Sequence, residues 1–300
     1  MRYAHILLAV ASEIWAMHPA KLAAMIDFLA LQASGVKFTA EEIEARIAPQ
    51  TAAAVARREG AVAVIPLRGV IANRMSLMGD ISGGTSAEGL SKAFQAAVDD
   101  DGVKAIVLDV DSPGGNVHGI EELSAQIAAA RGSKPIVAQV NATAASAAYW
   151  VASAADEVVV TPSGWVGSVG AMTAHEDVSE ALAKLGVKRT LVASTEFKGE
   201  GAPYLPMTDE YREHLQSQVD AYDAMFVERL AANRGVSSSL VRENYGKGRM
   251  VLAREAVSQG MADRVGVMSE TLARFGVQSK PTTKARARAP QRELRALNLI

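Results

Sequence analysis

From Ala61 onward, apolar runs of strand length alternate with amphipathic stretches of helix length. Ala61-Val-Ala-Val-Ile-Pro-Leu67, Val103-Lys-Ala-Ile-Val-Leu-Asp-Val110, Pro135-Ile-Val-Ala-Gln-Val140 and Glu157–Thr161 are near-continuous and rich in β-branched residues. Runs of that kind are strands covered on both faces. Helical stretches separate them, at about Ala87–Asp99, Ile120–Arg131 and a small-residue segment around Ser146 that reaches Ala155. The alternation predicts an α/β fold with a parallel sheet covered by helices. Further on, Gly164–Gly170 reads as a glycine-rich strand or loop, Asp177–Leu185 as a helix and Val187–Ala193 as a strand. A long helix over Thr208–Arg234 places Tyr211, Leu215, Val219, Tyr222, Phe226 and Leu230 near one stripe. A short helix at Ala253–Gln259 stops at Gly260, and Ala262–Gly266 closes the domain.

The flanks have a different texture. Pro19 opens a periodic segment over Ala20–Gln32, with Leu22, Met25, Ile26 and Leu29 on one face. Thr39-Ala-Glu-Glu42 gives a capped start to a second helix, running to about Arg58. After about Phe275, Lys280, Lys284, Arg286, Arg288, Arg292 and Arg295 are opposed only by Glu293, which predicts a flexible basic tail. The expected division is a helical arm over 1–59, a main domain over 60–275 and a tail over 276–300.

Composition narrows the function classes. Of 300 residues, 49% are hydrophobic and 21% charged, enough apolar chain for a real core. Thirty-one basic residues against 33 acidic ones leave a net charge of -2, which gives no reason to expect a nucleic-acid partner. The absence of cysteine excludes disulfides, a cysteine nucleophile and thiolate metal sites. His5, His18 and His214 lack ligand spacing, so no metal and no cofactor is expected. The apolar run Ala4–Ala11 follows a lone basic residue, Arg2, and Glu13 interrupts what comes after it. It is far shorter than the roughly 20 residues that span a bilayer, so the expectation is a soluble chain without a secretory signal or membrane anchor.

Ser146 is the residue that carries a chemical reading. It stands where a strand passes into a helix, beside free backbone N–H groups and the positive end of a helix dipole. A nucleophile whose attack creates an oxyanion suits that position. The plain alternative is an incidental serine in an alanine-rich buried helix. Asp111-Ser-Pro-Gly-Gly-Asn116 ends another strand, and a turn of this kind offers unobstructed N–H donors to an oxyanion. Pro-Gly-Gly is also simply a good turn. Ser112 belongs to that turn, Ser153 lies inside a helix and His118 reads as a helix-start residue.

Taken in order, Ser-Pro-Gly-Gly at 112–115, Ala-Ala-Ser-Ala-Ala-Tyr at 144–149, Gly-Ser-Val-Gly at 167–170 and Ala-Asp-Arg-Val-Gly at 262–266 form a more specific set. Over roughly residues 61–270 the chain resembles the signal peptide peptidase A family of serine proteases, within the Clp protease/crotonase superfamily. The segment Trp15-Ala-Met-His-Pro19 is similar to the amino-terminal region of the bacteriophage branch, the capsid assembly (prohead) proteases. The resemblance implies a Clp protease/crotonase-like fold, Ser146 as nucleophile and, about fifty residues later, Lys198 as general base. It implies Ser168 as the hydroxyl orienting the lysine amine, and the N–H groups of Gly115 and Ala147 as the oxyanion hole. Relatives often carry glycines directly after the serine where this chain has Ala147 and Ala148, which leaves the N–H in place but alters the pocket. The resemblance also implies protein or peptide substrates and a homo-oligomer whose neighbouring subunits can share a site.

A free lysine has a pKa of about 10.4 and only its neutral amine accepts a proton, so a lysine base calls for a closed apolar site. The rival base is His175, with Asp177 or Asp220 as third member of a Clp-type triad. The function expected is therefore a serine endopeptidase processing scaffold or capsid proteins during phage head maturation. The alternatives are a signal-peptide-degrading bacterial peptidase of the same family, or a non-proteolytic crotonase-like acyl-CoA enzyme or assembly factor.

Overall fold

A computed structural model describes residues 13–33, 57–73 and 84–277. The proposed helix from Thr39 and the basic tail fall outside these residues, apart from the segment around Arg57. The expected α/β architecture is present. The parallel strands are β3 (Val62–Arg68), β6 (Ala105–Ser112), β8 (Ile136–Ala145), β9 (Glu157–Val160), β10 (Trp165–Gly167) and β12 (Arg264–Val265). Antiparallel strands β2 (Arg57–Glu59) and β11 (Met250–Leu252) lie at its two ends, in the order β11-β10-β8-β6-β3-β2. Strand β8 is long enough to have two partners on one edge. Its first half pairs with β9, which pairs in turn with β12, and its last three residues pair with β10.

The apolar runs divide between the faces by the two-residue period of a strand. Ala63, Ile65, Leu67, Ile106, Leu108, Val110, Ile136, Ala138 and Val140 point into the main core. There they meet α2 (Ala87–Asp99), α3 (Ile120–Ala129), α4 (Ala147–Ala152) and α6 (Asp209–Arg234) through residues such as Phe94, Ile127, Trp150 and Phe226. The intervening Val62, Val64, Ala105, Val107 and Val137 form a smaller cluster with Val159 and with Leu272 of α9 (Met268–Ala273). Gln139 is buried on this second face with both ends satisfied: it donates to Gly266 O at 3.0 Å and accepts from Thr271 Oγ1 at 2.6 Å.

A second, four-stranded sheet has the order β1-β7-β4-β5, built from Trp15–Met17, Gly114–Asn116, Ile71–Ala72 and Thr85–Ser86. Helix α1 spans Pro19–Ala33, where the periodic segment predicts it. Helices α5 (Ser179–Lys184), α7 (Ser238–Asn244) and α8 (Ala253–Ser258) complete the described elements, with a single 3-10 turn at Gly246–Gly248.

Three local expectations need correction. The helix expected to run to about Arg58 does not include Arg57 and Arg58, because Arg57–Glu59 is a strand paired antiparallel with Val62–Val64. Trp15–Met17 is a strand buried against the main domain, although the arm reads as helical. Val187–Ala193 forms no strand: it runs over the surface without ladder hydrogen bonds, and Val192 is 90% exposed. A strand needs a partner edge as well as a favourable composition, and this chain presents none there.

Candidate active site

The carboxyl end of β8 delivers the nucleophile candidate. The strand continues to Ala145, Ser146 turns the chain at φ 53°, ψ -117°, and α4 begins at Ala147. A positive φ is costly for a residue with a Cβ and persists only where the surroundings impose it. Here they do. The Ser146 N–H donates to Gly167 O at 2.7 Å, its carbonyl accepts from Trp150 N at 2.9 Å, and its Oγ donates to Gly170 O at 3.3 Å. Below it, α4 is anchored by Trp150 stacked on Phe226 (4.3 Å between ring centroids) and by Tyr149 OH donating to Met261 O at 2.8 Å. Burial pushes the Tyr149 hydroxyl well above its ordinary range, so it remains a neutral donor.

Ser168 follows β10 and is brought to the same place, between the two glycines whose carbonyls hold Ser146. It too has a positive φ, 53°, and is nearly buried, with its N–H donating to Arg249 O at 2.9 Å. The glycine turn is the third part. Ser112 Oγ donates to Gly69 O at 2.6 Å and accepts from Gly114 N at 3.2 Å, which pins the turn from inside. A Cβ on Gly115 would overlap the Ile71 carbonyl, and one on Gly114 (φ 96°) would overlap the carbonyl of Ala16 and crowd that of Ala145. Glycine is needed at both positions for that close backbone approach. Ala147, as first residue of α4, has an N–H with no partner in its own helix.

Lys198 is not joined to this group. It lies in an exposed turn after the strandless segment; its N–H donates to Thr195 O at 3.3 Å, and its Nζ makes no hydrogen bond or ion pair with the described residues. The Clp-type triad is not assembled either. The His175 ring lies edge-on to Tyr211 at 5.9 Å, Asp177 accepts from Ser179 N at 2.8 Å, and Asp220 accepts from Gln216 at 2.7 Å.

Two features beside the site carry no signal in sequence spacing. A cleft of about 640 Å³ opens at the carboxyl ends of β3, β6 and β8, lined by His18, Asp111, Pro113, Thr143, Trp165 and Met250 among others. Burial holds the Asp111 carboxyl above its usual value, with Arg68 opposing. Asp263, from the last motif, is structural: it accepts from Val158 N at 2.7 Å and from the two terminal Arg234 guanidinium nitrogens at 2.7 and 2.9 Å. It clamps the end of α6 to β9. Among the described residues no group of three His, Asp or Glu could hold a metal ion, and no helix is long and apolar enough to cross a membrane.

Known proteins are similar to this chain in sequence. Capsid assembly protease C of Escherichia phage lambda is 35% identical over 77% of this chain and 54% of its own length. Head-tail preconnector protein GP5 of Enterobacteria phage P21 is 33% identical over 71% of this chain and 42% of its own length. The chain thus spans about half the length of these relatives. Among solved structures, a mutant of the 1510-N membrane-bound stomatin-specific protease overlaps 72% of this chain and 85% of its own, at 16% identity and a TM-score of 0.44. The model for peptidase family S49 matches residues 128–280, which run from α3 through β8, Ser146, Ser168 and the Asp263 clamp. The chain belongs to peptidase family S49.

Proposed function

We propose that the protein is a serine endopeptidase in which Ser146 is the nucleophile and Lys198 the general base. The observation that carries this reading is the strained, fully buried backbone at Ser146, held between the Gly114–Gly115 turn and the Gly167–Gly170 loop. Strain of this kind concentrates at sites where a side chain must be aimed. The neutral lysine takes the Ser146 proton as Oγ bonds to the peptide carbonyl carbon. The N–H groups of Gly115 and Ala147 hold the resulting oxyanion. The lysine then returns the proton to the leaving amine, and water activated by the same amine releases the acyl group. Ser168 orients the lysine amine.

A lysine becomes a base at neutral pH only where burial favours its uncharged form. The segment before Lys198 exposes Leu185 (76%), Val187, Leu191, Val192 (90%) and Phe197 (53%). Several large apolar side chains exposed along one segment support a homo-oligomer in which a neighbouring subunit covers the segment and closes the site. The two phage relatives support the biological setting: processing of scaffold or capsid proteins inside an assembling phage head. The alanines around Ser146 favour a small residue before the scissile bond.

The test is labelling with a serine-reactive phosphonate followed by peptide mapping, with cleavage of capsid and scaffold precursors read by intact mass. Ser146 is expected to carry the label, and Lys198→Ala to label and cleave far more slowly. Label at another serine, or Lys198→Ala acting at the parental rate, would discard the dyad.

A further inference from the structure

The edge strand beside Ser146 is already taken. Strand β1 runs antiparallel to β7, with Trp15 opposite Asn116, Ala16 opposite Gly115 and Met17 opposite Gly114. The residues beyond that register set its hydrogen-bond phase. Val117 N donates to Ile14 O at 3.4 Å and His18 N to Pro113 O at 2.8 Å. Closely bonded pairs recur every second residue of an antiparallel ladder, so Ala16 opposite Gly115 is also a bonded pair. The Gly115 N–H, the donor assigned to the oxyanion, therefore faces the carbonyl of Ala16. On its other edge, Trp15 exchanges two hydrogen bonds with Met172, at 2.8 and 2.9 Å. Residues 14–18 thus lie between the glycine turn and the chain just past Gly170, bonded to both. An extended peptide adding to these edges would make the same backbone bonds.

The side chains fit an occupant of such a groove. Trp15 and Met17 project to one side, against Leu22, Met25, Ile26, Val70 and Met172, while Ala16 on the other side is fully buried in the main core. The small residue is the one opposite Gly115. Glu13 adds a polar hold, accepting from the Asn116 side chain while its carbonyl accepts from Thr173 Oγ1 at 3.0 Å.

We propose that residues 13–18 are a built-in occupant of the peptide groove, so that the folded chain is closed to substrate until this strand is displaced. The inference rests on the peptidase reading for what the groove is for. It goes beyond that reading in assigning Trp15-Ala-Met-His-Pro19 a regulatory role. An occupant tethered to its groove competes at an effective concentration on the order of millimolar, so an incoming peptide gains access only when the strand has left. The displacing event is one that pulls on the residues preceding Glu13 or disturbs α1, which the strand enters directly through His18.

The chain has no cysteine, which makes a reversible lock clean to install. Trp15 and Asn116 form the non-bonded type of antiparallel pair, whose Cα atoms lie about 4.5 Å apart, within disulfide reach. A Trp15→Cys, Asn116→Cys variant is made in a Ser146→Ala background, so absence of chemistry cannot mimic absence of binding. The probe is a dye-labelled synthetic copy of residues 13–18, read by fluorescence anisotropy. The reduced protein is expected to bind it, and oxidation to weaken binding at least about tenfold. Equal affinity in the two states, or no binding in either, overturns the proposal. Hydrogen exchange on the Ser146→Ala protein without cysteines gives a second reading. Added peptide is expected to expose the Trp15 amide while that of Met172 stays protected; binding that leaves the Trp15 amide protected overturns the proposal.

Discussion

Ser146 and Lys198 occupy opposite kinds of surroundings. Ser146 is fully buried; its N–H, carbonyl and Oγ are each bonded within the chain, and α4 beneath it rests on Phe226 and Met261. Lys198 is exposed, directly after a stretch from Leu185 to Phe197 that presents large apolar side chains to solvent. The first environment is complete in a single chain. The second exposes the large apolar side chains typical of an interface. In the proposed dyad, Ser146 is fixed by folding and Lys198 by whatever covers the segment before it.

The largest effect that sharpens this contrast comes from Ser146→Ala. Peptide hydrolysis is expected to fall by at least about 10⁴-fold in a steady-state assay, the scale on which a removed nucleophile acts. Lys198→Ala is expected to cost about 10²–10⁴-fold in kcat, the range of general-base catalysis, with the melting temperature unchanged because the side chain is exposed and unbonded. A large drop in melting temperature for Lys198→Ala would show that its environment is as built as that of Ser146, and the comparison would fail. Val192→Asp addresses the cover: on the homo-oligomer proposal the parent is expected to sediment as an oligomer in analytical ultracentrifugation and the variant as a monomer, with activity falling alongside.

Two smaller effects concern the fixed half. Gly115→Ala is expected to destabilise the fold by about 1–3 kcal/mol, read by denaturant unfolding, because its methyl must displace the Ile71 backbone. Asp263→Asn loosens the clamp on α6. Burial raises the Asp263 carboxyl, but hydrogen bonds from Arg234 and Val158, with the charges of Arg234 and Arg131, bring it below its usual value. A lowered carboxylate stabilises the fold above its unfolded pKa, about 3.9, and loses that contribution as pH falls through the folded value. The asparagine variant should therefore melt about 2–4 °C below the parent at neutral pH, a loss of about 1 kcal/mol because Asp263 is over a third exposed. The gap between the two should close below about pH 4.

The main sheet was legible because its strands are long, β-branched and buried on both faces, so Val62–Arg68 and Ala105–Ser112 leave an unambiguous apolar run. Ser146 was legible from its place between such a run and a small-residue helix, although its backbone angles were not. Trp15–Met17 was hidden because three residues show no period, and their strand character comes from Gly114–Asn116, about a hundred positions away. Val187–Ala193 misleads for the converse reason. Its composition records a need for burial and a partner edge, but not which chain supplies them. The Ala262–Gly266 motif marks the family, yet only the contacts of Asp263 show that its work is mechanical.

Strand β8 has a consequence for how this scaffold can change. Its outer edge forks: β9 takes the first half and β10 the last three residues, with the exposed turn around Pro162 and Ser163 between them. The carbonyl that fixes Ser146 belongs to Gly167 of β10, whereas the Asp263 clamp grips β9. Extra residues inserted at that turn would lengthen the tether between the branches without altering the register of either. The fork is thus a graft point, where a recognition loop can be added a few residues before Gly167, which holds Ser146, while the backbone at Ser146 keeps its shape.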